Sequence, residues 1–395
     1  MNLFKFLQRP AKRSKTVVAL FNYGGGMRGL LPLHIMAEIE RRTGRSLAEM
    51  VDVFCGPSTG ALINAALNMP DPDNPSKPRF SAEDMIRFYE TEGINIFPKD
   101  AYRSFRGFIH DFNNRTLKIS QLNALLAQGH YNPAALRRSC ARLYGLAKMN
   151  KALSGLVVPF FNIDSTHIPA MRDPDDSDDS PVHSRVSIAD PGGHAVWLTH
   201  LPFLPERRNL TPDVRLYDAV LGSAAAPTYF PCHTVPVTWP ETGEKKIYTG
   251  IDGNIFDNPC ITYHGVLKHF FGPDTNFLMI VLGTGKTRKS IKGSDWNRFG
   301  ALGVVDPMND FPLIRIFFHA SESALMESFV TEMRDQAFVF NRSLYDDLPA
   351  EARPSPAIDD ASPENLKRIE NFARFLLKEN EERLDRLCEI LAERV

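Results

Sequence analysis

The sequence predicts an α/β fold built on a mostly parallel sheet, and two observations carry the prediction. Strand, glycine turn and helix follow one another twice within residues 16–69. A later apolar run, Phe277 to Leu282, is short and continuous, as a strand buried on both faces should be.

The elements are read in order. Thr16 to Phe21, TVVALF, is β-branched and apolar and forms the first strand. Gly24-Gly25-Gly26-Met27-Arg28-Gly29 then opens a helical pattern through Leu30, Leu33, Ile35, Met36 and Ile39. Pro32 is tolerated in the first turn of that helix, and Gly44 stops it. Val51 to Cys55 is the second strand, and Ser58 to Met69 the second helix. Pro70 to Pro78 is a surface loop, residues 81–150 are mainly helical, and Gly155 to Ile163 is a strand. Tyr217 to Ala225 is a short helix, and Lys246 to Gly250 leads a strand into Asp252. Ser362 to Val395 reads as one long helix with a leucine-rich stripe that packs on a core or self-associates.

Composition narrows the function. Lys+Arg (46) nearly cancel Asp+Glu (47), so no nucleic-acid partner is expected. The five cysteines are scattered and form no CxxC pair, which excludes a disulfide framework or zinc site and suits a cytosol-like compartment. No apolar run is long enough to span a bilayer, and Lys5 interrupts the apolar part of the N-terminus, which does not read as a signal peptide. Residues 1–15 carry five basic and no acidic side chains; a frayed tail is the plain reading, an anionic-membrane contact the sharper one. Arg172 to Ser180, with five aspartates, reads as a solvated loop rather than a calcium loop.

The stretch FCGPSTGALINAAL, residues 54–67, carries the chemistry. In a Gly-x-Ser-x-Gly turn between strand and helix, the serine hydroxyl projects above the sheet edge. The following helix adds its dipole and a free N–H, that of Thr59 first. Ser58 is therefore a candidate nucleophile, against the plainer reading of a helix-capping serine. The run GGGMRG suits an oxyanion hole, because consecutive glycines can turn their amides one way with no side chain in front. A phosphate cradle is the rival, weakened by the absence of an acidic partner on a second strand and of a P-loop lysine. Gly283-Thr284-Gly285-Lys286-Thr287 resembles the end of a Walker A loop, but Ile280 stands where its first glycine belongs. None of the 11 histidines lies in a motif, so the best base for Ser58 is Asp252, at a strand end in YTGIDGNIFDNP.

Taken together, GGGxRG, GxSxG and the late aspartate-glycine resemble the patatin-like phospholipase family. Ser223-Ala224-Ala225-Ala226-Pro227-Thr228-Tyr229-Phe230-Pro231, Asn258-Pro259 and Leu282-Gly283-Thr284-Gly285 add to the likeness, which covers residues 16–290. The resemblance implies a three-layer α/β sandwich with a central, mostly parallel sheet flanked by helices, followed by a C-terminal helical extension over 291–395. It implies a Ser58–Asp252 dyad without histidine, an oxyanion hole from Gly24, Gly25 and Gly26, and Arg28 holding that loop or meeting lipid phosphate. It implies hydrolysis of acyl esters of phospholipids or related glycerolipids, with no cofactor and no metal, at a membrane surface touched transiently. Residues 291–395 leave room for a homo-oligomer contact or an activator site.

This sequence departs from the family pattern at Tyr23, Pro57, Ala61 and Asn254. Those departures are the only support for a second reading, a catalytically silent lipid-binding or scaffold protein. A Ser-Asp-His triad using His264, His269 or His319 is a third. Ile94, Ile96, Phe97 and Val196-Trp197-Leu198 are candidates for an apolar acyl channel or its exposed rim, with burial in the core the plainer reading of Trp197.

Overall fold

The computed structural model describes residues 16–98, 131–164, 193–204, 211–227, 229–287, 291–303, 312–345 and 348–394. The basic N-terminal tail and the aspartate-rich loop lie outside the described residues.

Eight strands form one sheet: β1 Val17–Asn22, β2 Val53–Cys55, β3 Gly155–Asn162, β4 His194–His200, β5 His233–Trp239, β6 Glu244–Asp252, β7 Phe277–Leu282 and β8 Ala337–Phe340. The order is β5-β6-β3-β2-β1-β7-β8, with β4 paired to β3. Strands β3, β2, β1, β7 and β8 run parallel, while β4 and β6 run antiparallel to β3. The helices used below are α1 Leu30–Thr43, α2 Thr59–Leu67, α3 Ala82–Ile96, α4 Pro133–Tyr144, α5 Leu216–Ser223, α6 Pro312–Met333, α7 Pro363–Glu379 and α8 Glu381–Ala392.

The strands alternate as a sheet covered on both sides requires. Val18, Leu20, Phe54, Leu156 and Ile280 face a core shared with α1, α2, α3, α7 and α8. Ala19, Phe21, Val53, Val157 and Met279 face a second core closed by Tyr263, Leu267 and Phe329. This is the α/β sandwich expected from the sequence, with helices continuing to the C-terminus.

Beyond strands β4 and β5, which the sequence reading did not include, three further details differ. The tail is two helices: Asn380, at φ −109° and ψ 25°, ends α7 and starts α8, and its amide side chain caps the Leu376 carbonyl. Residues 337–340 add a strand that their short length hid, extending the parallel sheet beyond β7. The second helix begins at Thr59, which leaves Ser58 outside it.

One junction positions the site. Strand β4 covers one edge of β3 from Leu156 to Asn162. On the other edge β2 pairs with residues 155–157 and β6 with residues 160–162. The two strands therefore approach end to end, and Ser58 follows the end of one while Asp252 ends the other. The break falls at Pro159, which has no N–H to leave unpaired there.

Candidate active site

The turn after β2 is held in a conformation that few residues accept. Ser58 sits at φ 56° and ψ −125°, a region that costs on the order of 1–3 kcal/mol for a residue with a side chain. Tight packing maintains it. A side chain at Gly56 or Gly60 would collide with the Asn22 carbonyl oxygen at the end of β1, so both glycines are required for the turn to lie against the sheet. The Pro57 carbonyl accepts the Gly60 and Ala61 amides and starts the helix.

Ser58 occupies the cap position of α2, yet its side chain makes no capping bond. The Asp252 carboxyl lies close enough for the Ser58 hydroxyl to act on it. Both residues are buried, Ser58 at 9% and Asp252 at 3% exposure. Burial pushes the Asp252 pKa up to about 6, an effect moderated by the Ser58 hydroxyl and by the Asn254 amide, which donates to it at 2.8 Å. A carboxylate so placed accepts a proton more readily than one in water.

The glycine loop lies against the same turn. Gly24 packs on Ser58: a Cβ there would stand 2.9 Å from the Ser58 Cβ and 3.1 Å from Asn254 Oδ1. The Gly24 carbonyl accepts from the Thr284 hydroxyl at 2.9 Å, and the Gly25 carbonyl accepts the Arg28 amide at 3.1 Å. Gly26 and Thr59 line a cleft beside Ser58, and Gly24 and Gly25 lead into Gly26. Among the described residues no hydrogen-bond partner is seen for the amides of Gly24, Gly25, Gly26 or Thr59. Arg28 reaches the Gly285 carbonyl at 3.3 Å, so it braces the loop against the turn after β7; burial lowers its pKa to about 10, which leaves it charged at neutral pH.

The cleft is partly open, has a cavity volume of about 60 Å³ and is overwhelmingly apolar. Met27, Leu62, Phe88, Ile96, Phe97 and Leu136 are among its walls. Ile96 and Phe97 thus fall where the sequence places them. Ile94 instead faces solvent, and Trp197 lies on the opposite face of the sheet, where it meets Phe256 edge-on at 5.1 Å and donates to Asp257. Period-two alternation along β4 puts Val196 and Leu198 on the other face, where both are buried in the core and neither lines the cleft.

Other readings lose their geometry. No histidine lines the cleft among the described residues. His264 pairs with Glu332 at 3.1 Å, and the His319 side chain lies outside the described residues. The Walker-like turn spends its amides on protein: Gly285 donates to Asn341 and Lys286 to Arg342. Tyr23 is buried against Phe21 on the face away from the cleft, so this departure leaves the cleft unchanged.

Two functional residues escaped the sequence reading. The Ser223 hydroxyl accepts the Ser58 amide at 3.0 Å and donates to the Pro159 carbonyl. Two residues on, the Ala225 carbonyl accepts the Asp252 amide at 3.0 Å. The end of α5 thereby ties the serine and the aspartate to one another. Tyr89 of α3 bonds the Thr59 hydroxyl from within the cleft wall. A serine among alanines carries no such signal by itself.

A strained serine at a strand-to-helix turn, on a mostly parallel sheet, has the backbone geometry of the elbow turns found in α/β proteins. Comparison with known proteins narrows the class. A family model for patatin-like phospholipase matches residues 23–263, and the chain belongs to that family. It is 24% identical to patatin-like protein 2 of Oryza sativa subsp. indica, over 95% of this chain and 87% of that protein. It is 27% identical to patatin-like protein 1 of Arabidopsis thaliana, over 72% and 63% of the two chains. It is 23% identical to patatin-2-Kuras 3 of Solanum tuberosum, over 97% and 92%. Family membership supports hydrolysis of lipid acyl esters as the general activity.

Proposed function

We propose that the protein is a phospholipase A or lysophospholipase-type hydrolase working through an acyl-Ser58 intermediate. The observation that carries this reading is Ser58 on the wall of an apolar cleft with the buried Asp252 carboxyl beside it. Asp252 accepts the hydroxyl proton as Ser58 Oγ bonds to the ester carbonyl carbon. Negative charge grows on the carbonyl oxygen, where the unpartnered amides of the Gly24–Gly26 loop and Thr59, with the N-terminus of α2, oppose it. The proton passes to the departing alcohol oxygen, and the ester C–O bond breaks. Water then attacks the acyl-enzyme, gives its proton to Asp252, and fatty acid leaves as Ser58 Oγ recovers that proton.

The cleft accounts for substrate class, since an acyl chain gains roughly 0.8 kcal/mol per buried methylene. Arg28 acts as a brace for the donor loop. Residues 16–290 form the catalytic unit and residues 291–395 extend it. The enzyme meets membranes peripherally, and among the described residues no helix is long and apolar enough to cross one.

The test is fatty-acid release from mixed phospholipid vesicles by wild type, Ser58→Ala and Asp252→Asn, with folding followed by thermal melts. Release by wild type and none by either folded variant is the expected result. An unimpaired Asp252→Asn variant would remove Asp252 as base.

A further inference from the structure

The acyl-hydrolase reading leaves open what fixes its donor loop, and the segment before α7 supplies an answer. Residues 355–361 run directly over that loop. The Met27 amide donates to the Ile358 carbonyl at 2.7 Å. Gly26, at φ 55°, lies so close that any side chain there would collide with the same oxygen. Ile358 also lines the cleft. One residue far along the chain therefore touches both the donors and the acyl site.

The segment is held at both ends. Asn365, buried in the first turn of α7, accepts the Ser355 amide at 2.7 Å and donates to the Asp360 carbonyl at 2.7 Å. Buried Asp359 accepts from the Tyr131 hydroxyl at 2.8 Å. The Tyr131 ring stacks on Tyr229, with centroids 6.3 Å apart, and meets Phe97 edge-on at 5.2 Å. Tyr229 and Phe97 are cleft walls.

We infer that residues 355–361 are a positioning strap of the active site, in which Ile358 seats the donor loop from behind and the Asp359–Tyr131 hydrogen bond latches the strap to the cleft wall. A glycine run is the most mobile backbone a chain can offer, whereas oxyanion donors act only when held in place before the reaction. Occupying the Met27 amide also leaves the neighbouring Gly25 and Gly26 amides as the donors.

Tyr131→Phe removes the latch but keeps the ring; Asp359→Asn keeps an acceptor oxygen. The substrate is a short-chain p-nitrophenyl ester, and exchange of the Met27 amide is followed in parallel. For Tyr131→Phe, kcat falls about tenfold, less than the roughly hundredfold that a 1 Å misplacement can cost. Its KM stays within about twofold, its melting point stays close to wild type, and its Met27 amide exchanges faster. Asp359→Asn keeps most of kcat. The strap is overturned if Tyr131→Phe keeps wild-type kcat and Met27 protection, or if its loss appears only as KM for long-chain esters. A wild-type protein that neither cleaves the ester nor takes a fluorophosphonate label would sink the hydrolase reading alone, and Met27 exchange would then decide the strap.

Discussion

The Ser58 hydroxyl and the Asp252 carboxyl place opposite demands on the fold. Asp252 must be charged to take a proton, yet it is buried, and burial favours its neutral form. Activity should therefore rise with pH through about 6 and then level off, a profile that initial rates on a neutral ester will show. The stability consequence has the opposite sign. The folded-state pKa lies above the unfolded one, so the protonated residue's contribution is fully present below about 3.9 and is lost as pH rises through about 6. Asp252→Asn removes that cost and should be more stable than wild type at pH 8, on the order of 3 kcal/mol, with the gap closing near pH 4. Melts giving the same gap at both values would refute it. Ser223→Ala leaves the Ser58 amide without its acceptor and should cost about 1–3 kcal/mol together with activity. Ser58 and Asp252 were legible in the sequence because each sits beside glycine at a strand end. Ser223 and Ile358 were not. Their work is done toward distant backbone groups, and Ile358 contributes a carbonyl, which every residue possesses.

At the level of elements, Gly93 of α3 lines the cleft packed tightly on the Met27 side chain, while Leu136 of α4 stands on the cleft wall. Leu136→Trp should fill the acyl space and reduce turnover of long-chain esters at least tenfold more than that of short ones, which a chain-length series measures. Equal loss on all chain lengths would mean that the acyl chain lies elsewhere. Strand β7 matched its expected bounds, because six consecutive buried residues between turns admit few alternatives. The helical tail did not. Its stripe runs nearly unbroken through Asn380, and only the backbone there reveals two helices.

Across the whole molecule, the C-terminus is bound to the start of the fold. Arg394 pairs with Asp52 and donates to the Thr16 carbonyl at 2.9 Å, while Leu384, Leu387 and Leu391 are fully buried against the core of α1. Deleting residues 381–395 exposes that core and removes roughly 1.5–3 kcal/mol for each leucine, a large share of a typical domain's stability. The shortened chain should be insoluble or melt far below wild type, and soluble yield checks it. The junction at Pro159 carries a consequence for how reactivity appears during folding. Ser58 and Asp252 follow strands that share no direct pairing, and β3 is the strand that both of those pair with. A chain that has formed its early parallel layer but has not yet added β6 owns a serine with no carboxylate beside it. The geometry of the pair is therefore complete only once β6 has joined β3.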